Sequence, residues 1–243
     1  MLAGLKRLCL ISLLVCLASA ATAQNLRVVT ENWPPYNFFN ENDQIVGSST
    51  EIVRAVLEKA GFSYSIEVHP WARSYSIAQN NSNVLIYTIL RTPFRENLFK
   101  WIRPIAAVDT YNFYRLAARN DLSLTTIEAA KRHRIGVVRN NVIHQTLRQR
   151  GFVDGKNIIA VNKQAQIFRM LFAKRLDYIV LQERTANAEL SDAGFSIEQV
   201  HKSIFFIDAY SYMAYSNGTS DEIVDRTIAA FDELVKNGDL LVD

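Results

Sequence analysis

Short β-like runs alternate with amphipathic helical runs along this chain, and the alternation starts twice. Such a rhythm requires parallel or mostly parallel sheets with helices on their faces, because each crossover helix packs back onto the sheet it leaves. Residues 26–30 read as a strand, and 64–68 and 84–88 as two more. Between the first two, residues 48–60 read as a helix. Ser48 and Glu51 stand at capping-box spacing, Ile52, Val53, Val56, Leu57 and Ala60 form one apolar face, and Gly61 ends it.

The rhythm resumes after an extended stretch at 109–117. A short helix at 126–131 leads into a strand at 134–138, and a helix at 142–149 ends at Gly151. Strand 158–161, helix 164–173 and strand 177–181 complete the second unit. A second extended stretch, 204–215, is rich in Phe and Tyr. The last helix opens on a Thr219/Glu222 capping spacing, shows Val224, Ile228, Phe231 and Val235 on one face, and stops near Gly238. The expected fold class is α/β: two similar lobes joined by two extended crossings.

The first two dozen residues follow another pattern. Lys6 and Arg7 precede an apolar run at 8–17, and Ala21-Thr22-Ala23 has the small-x-small form of a secretory cleavage site. Cleavage is expected after Ala23 and the expected location is the periplasm. The alternative, a membrane anchor, would need an apolar run of roughly 20 residues. Cys9 and Cys16 both lie in this segment, and Val15 before Cys16 is not the small residue that precedes a lipidated cysteine. The mature chain then holds no thiol, which excludes disulfides, thiolate metal sites and cysteine nucleophiles. Without Lys6 and Arg7 the balance of 27 basic to 24 acidic side chains becomes 25 to 24. A nucleic-acid-binding face is therefore not expected. The one basic cluster, Lys131-Arg132-His133-Arg134, reads as the solvated end of a helix, where cations suit the helix dipole.

Several local strings resemble one family. Residues 27–36, Arg-Val-Val-Thr-Glu-Asn-Trp-Pro-Pro-Tyr, then Ile45-Val46-Gly47 before a helix, are similar to the opening of family 3 extracellular solute-binding proteins, the polar amino-acid binders of ABC transporters. Thr92-Pro93-Phe94-Arg95, followed by Phe99 and Pro104, resembles the family's T-x-x-R…F-S-x-P-Y segment. Ile135-Gly136-Val137 and Arg175-Leu176-Asp177 resemble its second-lobe elements. The resemblance implies a type II periplasmic-binding-protein-like fold with a double-strand hinge. One lobe would comprise residues 25–112 and 208–243, the other 113–207. It also implies a small-molecule ligand in the cleft, closure around it, and a membrane permease or receptor as partner. A monomer is expected.

The same resemblance nominates ligand-binding residues. The family's motif arginine, here Arg95, grips the ligand carboxylate, and a guanidinium suits that task because it offers two parallel N–H donors. The alternative for Arg95 is a surface arginine at a helix start, and Arg91 is a nearby competitor. Trp33 aligns with a cleft aromatic, with Tyr36 close behind; lobe-surface packing is the alternative. Tyr87 and Thr88 align with polar cleft residues at a strand end. Trp71 and Arg73 hold a similar strand-to-helix position, and a second arginine there would suit a second anionic group. Two departures stand out. Where the family presents an aspartate to the ligand's ammonium, this chain has Gln182, with Glu183 beside it. Where a glycine-threonine-threonine turn is usual, it has Asn140-Asn141-Val142, whose backbone N–H groups remain available to an anion.

Catalytic signatures are thin. His69, His133, His144 and His201 show no i,i+4 pairing and no carboxylate at metal-ligand spacing, so neither a metal nor a cofactor is expected. The sequence has no G-x-S-x-G, Walker or G-x-G-x-x-G string. A binder rather than an enzyme is the reading. The alternatives are a dehydratase on the same fold, with Glu183 or Glu31 as general acid, and a ligand-sensing adaptor for a membrane receptor.

Overall fold

The computed structural model describes residues 25–240 apart from Ala107; the expected signal segment, with Cys9 and Cys16, lies outside them. The chain runs through β1 (Asn25–Thr30), a small hairpin of β2 (Phe38–Phe39) and β3 (Ile45–Val46), α1 (Ser48–Lys59), β4 (Ser63–Val68), α2 (Trp71–Asn80), β5 (Val84–Leu90) and β6 (Phe99–Pro104). It continues with β7 (Asp109–Leu116), β8 (Ile135–Val138), α3 (Val142–Gln149), β9 (Ile158–Val161), α4 (Gln164–Phe172), β10 (Tyr178–Gln182), α5 (Ala186–Asp192), β11 (Val200–Ala209), β12 (Ser211–Ser216) and α6 (Asp221–Asn237).

Two five-stranded sheets result, in the orders β4-β1-β5-β12-β6 and β11-β7-β10-β8-β9. In the first, β1 is parallel to β4 and β5, while β12 is antiparallel to β5 and β6. In the second, β8 is parallel to β9 and β10, while β7 is antiparallel to β10 and β11. The chain passes from one sheet to the other between β6 and β7 and returns at Tyr210, between β11 and β12. The aromatic-rich stretch read as one extended segment is thus two strands in different sheets.

The strand β5 is buried along its whole length, so both faces of the first sheet are covered. Leu85 and Tyr87 pack with Val53, Val56 and Leu57 of α1 and with Phe231 of α6. Val84 and Ile86, pointing the other way, join Trp71, Tyr75 and Ala78 of α2. The second sheet repeats the plan: Ile143 and Leu147 of α3 cover one face with Phe113, Val137 and Tyr178, and Phe168 and Leu171 of α4 cover the other with Ile179 and Leu181. Each such side chain stabilises the fold by about 1.5–3 kcal/mol over leaving it exposed.

Both expected capping boxes are absent, for local reasons. Ser48 lies inside α1, whose cap is Gly47 at φ 119° with no side-chain bond. The orphan N–H groups of this helix are taken by the preceding loop instead. Ser48 N donates to Pro35 O at 3.2 Å, and Ser49 N and Thr50 N donate to Tyr36 O at 3.0 and 3.2 Å. A Cβ on residue 47 would stand 2.4 Å from that same Tyr36 oxygen, so this close approach needs glycine. At α6 the cap residue is Ser220, and the Thr219 hydroxyl is bonded to Ser216 Oγ at 2.9 Å. Its buried face is Ile223, Val224, Thr227, Ala230 and Phe231, while Val235 is exposed. The short helix expected at 126–131 is a 3-10 turn at Glu128–Arg132.

Candidate functional site

Strands β1, β4, β5, β8 and β10 all end toward one crevice, the position where open α/β sheets present ligand-contacting residues. A cavity of about 580 Å³ lies there, lined by both halves of the molecule. Its volume falls in the range of small-molecule sites. Glu31 and Trp33 follow β1, Trp71 opens α2 after β4, Thr88 and Leu90 end β5, and Arg95 follows them. Asn141 follows β8, Gln182 ends β10, and Glu189 comes from α5.

Arg95 is almost fully buried, at 1% exposure, rather than on the surface. Its guanidinium lies between the rings of Trp71 and Tyr75, 5.2 and 5.0 Å from their centroids. Nε donates to Gln145 Oε1 at 2.7 Å, Nη1 to Leu90 O at 3.0 Å and Nη2 to Asn140 O at 3.4 Å. Burial lowers its pKa to about 10, partly offset by Tyr75, Tyr111 and Glu31, so it stays cationic at neutral pH. Trp71 Nε1 donates to the same Asn140 carbonyl at 2.8 Å. Asn140 and Gln145 belong to the second half, so Arg95 and Trp71 tie the two halves together across the cleft.

Asn140 is held in turn. It sits at φ 59°, and its N–H donates to His144 Nδ1 at 2.9 Å. With Nδ1 accepting, the other ring nitrogen carries the proton and donates to Asp154 Oδ1 at 2.8 Å. Asn141 caps α3, its side chain accepting from His144 N at 2.9 Å. Its hydrogen-bonding capacity is thus partly used by the helix it starts.

The neighbours Tyr87 and Thr88 take different roles. Tyr87 is wholly buried in the first core, bonded to Thr50 Oγ1 at 3.0 Å, and does not line the cavity. Burial pushes its phenol up to about 12. Thr88 is the extra residue of a bulge: Tyr87 pairs with Met213 and Ile89 with Tyr212, leaving Thr88 unpaired at φ 57°. The bulge turns Thr88 toward the cavity, where Oγ1 donates to Asn37 Oδ1 at 2.6 Å. A β-branched residue in that backbone region costs of order 1–3 kcal/mol.

Tyr36 is buried behind the cavity lining. Its hydroxyl donates to Asp109 Oδ1 at 3.3 Å and accepts from Gln182 Nε2 at 2.8 Å. Gln182 Oε1 lies 2.8 Å from Thr185 Oγ1, whose single hydroxyl proton it shares with the nearer Glu189 Oε1. Arg73 is exposed on α2 and outside the lining. Glu183 faces away from the cleft: Lys202 Nζ donates to its Oε1 at 2.6 Å and Asn112 Nδ2 to its Oε2 at 3.0 Å. The Lys202 bond holds its carboxyl below the usual range.

Three acids line the cavity, Glu31, Glu189 and Asp192, and two of them are raised by burial. Glu31, from the first half, is pushed up to about 8 by burial and by Glu189, against the pull of Arg95. Glu189, from α5 of the second half, is also raised by burial, although Trp33 Nε1 donates to its Oε1 at 3.2 Å and Thr185 Oγ1 at 2.6 Å. Sequence reasoning treated Glu31 as a strand end or a general acid and passed over Glu189. The one available signal was helical spacing: Thr185, which caps the helix after β10, and Glu189 stand four apart on one face of it.

Fold and cleft together define the class of two-lobed, periplasmic-binding-protein-like domains. The chain is similar to a histidine kinase sensor domain with similarity to periplasmic binding proteins, at TM-score 0.76 and 18% identity, covering 89% of this chain and 92% of that one. It is similar to an ancestral arginine-binding protein bound to arginine, at TM-score 0.71 and 20% identity, covering 88% and 93%. It is also similar to the GluR0 ligand-binding core from Nostoc punctiforme in complex with (L)-glutamate, at TM-score 0.69 and 17% identity, covering 88% and 94%. At such identities the likeness shows the fold. By sequence, none of the curated proteins matches. The family model of bacterial extracellular solute-binding proteins, family 3, matches residues 26–241. The chain belongs to that family.

Proposed function

We propose that this protein is a periplasmic solute-binding protein that captures a small carboxylate-bearing ligand, an amino acid or related metabolite, for an ABC-type importer. The observation that carries the reading is the buried Arg95 guanidinium lining a two-sided cavity. Three protein acceptors occupy three of its five N–H donors, which leaves two for a carboxylate. The arginine- and glutamate-bound neighbours support a ligand of this kind. The two lobes, taken as residues 25–112 with 208–243 and 113–207, close on the ligand by bending at the paired crossings. The protein acts as a monomer and catalyses no reaction.

A thermal-shift screen of the mature protein with amino acids, dicarboxylates and aromatic acids tests this. A carboxylate ligand is expected to raise Tm by linkage, and Arg95→Ala to abolish the rise. Arg95→Lys, which keeps the charge but not the fork, is expected to weaken it. Full affinity in both variants would refute the site, and accumulation of a product would refute the binder.

The histidine kinase sensor neighbour favours a second reading, a lobe pair that passes its ligand-bound state to a membrane receptor. Both readings use one closed form. A permease gene adjacent to the coding sequence supports import, and its absence supports sensing. A dehydratase reading would rest on Glu31, since Glu183 is occupied by Lys202 outside the cleft.

A further inference from the structure

Positive charge is unevenly divided between the two halves of the molecule. Residues 109–209, which build the second sheet, hold 15 lysines and arginines against 10 aspartates and glutamates; the rest of the chain from residue 25 holds 10 against 14. Part of that surplus meets away from the cleft. The edge strand β9 and helix α4 border a groove of about 330 Å³, lined by Val161, Gln166, Arg169, Met170 and Arg175, none of which lines the cleft cavity. The end of α4 builds it. Lys174, at φ 57°, turns the chain back, with Lys174 N donating to Leu171 O and Arg175 N to Met170 O, both at 2.8 Å, the paired bonds of a Schellman turn. That turn sets Arg175 beside the last helical turn, which carries Arg169. Backbone N–H groups thus take the terminal carbonyls, and neither arginine serves as a cap. Among the described residues neither guanidinium has a hydrogen-bond or ion-pair partner. Asp177, two residues beyond Arg175, is engaged by Arg134 N and by the Arg119 and Arg134 side chains. The helix dipole favours cations at this end, but it accounts for neither the groove nor two unpaired guanidiniums lining it.

We propose that this groove is a phosphate site, separate from the cleft, in which Arg169 and Arg175 share one phosphate group and the Gln166 amide donates to it as well. Each guanidinium offers planar paired N–H donors that match phosphate oxygens, and an anion between the two relieves their mutual repulsion. A further strand is not the occupant. Ile158 O and Ala160 O, the carbonyls on the free side of β9, already accept from Gly155 N and Arg139 Nη2, each at 2.9 Å. What the groove offers is charge. The surplus of the whole half steers anions toward it, but salt screens exposed charges beyond about 8 Å, so the local arginine pair sets the affinity. The phosphate has two sources, free phosphate and the head group of an anionic phospholipid, and a groove open to solvent admits both.

The test is calorimetric titration of the mature protein with inorganic phosphate, together with cosedimentation on vesicles of phosphatidylglycerol or of zwitterionic phosphatidylcholine. Wild type is compared with Arg169→Gln, Arg175→Gln and Arg132→Gln, the last an exposed arginine of the same half outside the groove. Circular dichroism melts establish that each variant is folded; if Arg175→Gln is not, Arg169→Gln decides alone. The expected result is equal binding by wild type and Arg132→Gln, within about twofold, and a loss of about tenfold or more in each groove variant, as for a charge-assisted bond. The same pattern on phosphatidylglycerol vesicles supports the site with a lipid as its source. Phosphate binding without any preference for phosphatidylglycerol supports it with free phosphate as the source. Absence of both phosphate binding and that preference overturns the site. An equal loss in Arg132→Gln overturns it too, since overall charge then suffices, as does binding that survives both groove variants, which places the anion elsewhere.

Discussion

Replacing Glu31 by Gln should make the ligand-free protein more stable at pH 8 and leave it unchanged at pH 4.5. A glutamate that ordinarily titrates at 4.5 is pushed up to about 8 here by burial and by Glu189. At about 1.36 kcal/mol per pH unit, that gap corresponds to an upper figure of roughly 5 kcal/mol against the ionised form. Between those values the native chain binds more protons than the unfolded one. The stability penalty is thus absent below about 4.5, grows as pH rises to about 8, and is level above. Glu31 keeps partial exposure to solvent, which screens its charge. With that screening, about 2 kcal/mol of the penalty should survive as measured stability. Gln has the same shape and no charge to titrate. Scanning calorimetry without ligand should give coincident Tm values at pH 4.5. At pH 8 the variant should melt about 4–8 °C higher, at roughly 2–4 °C per kcal/mol for a chain of this size. Other acids impose their own pH dependence on both proteins, so the difference between them is the readout. A Tm difference that is the same at both pH values would refute the reasoning.

Gly136→Ala places a Cβ 2.3 Å from Leu176 Cδ1 and 3.0 Å from Ile167 Cγ2, both side chains being buried in the second core. Overpacking of this kind costs about 1–3 kcal/mol, seen as a lowered urea midpoint with an unchanged slope. Gly47→Ala sets its Cβ against the Tyr36 carbonyl at a φ that L residues avoid, and backbone cannot yield as a side chain does. A loss of about 3 kcal/mol or more is expected by chemical denaturation. Glu183→Gln removes a surface pair with Lys202 outside the cavity. Affinity for any cleft ligand should change by less than about twofold in calorimetric titration.

Much of the architecture was open to reading before any coordinates. Helix and strand periods depend on neighbours a few residues apart, so 142–149 and 158–161 coincide with Val142–Gln149 and Ile158–Val161. The helix Ala186–Asp192 and the division of the aromatic stretch at Tyr210 were not delimited, because each depends on which sheet receives the segment. The capping boxes failed for the same reason. A Ser or Thr at the right spacing caps a helix only if no other acceptor reaches the N–H groups first, and at α1 the Pro35 and Tyr36 carbonyls do.

The sequence by itself determined the α/β class, the two-unit plan and the family, all properties of local pattern and motif order, and the family resemblance singled out Arg95. Tertiary structure alone decided which side chains face the cavity. A one-residue bulge sends Thr88 into the cleft and leaves Tyr87 in the core. Glu189 reaches Trp33 across 156 positions of chain. Glu183, next to the place where an aspartate was expected, turns out to Lys202. Charge and hydrogen bonding act over ångströms in space, whatever the separation along the chain, so the electrostatics of the cleft exist only once the two sheets face each other.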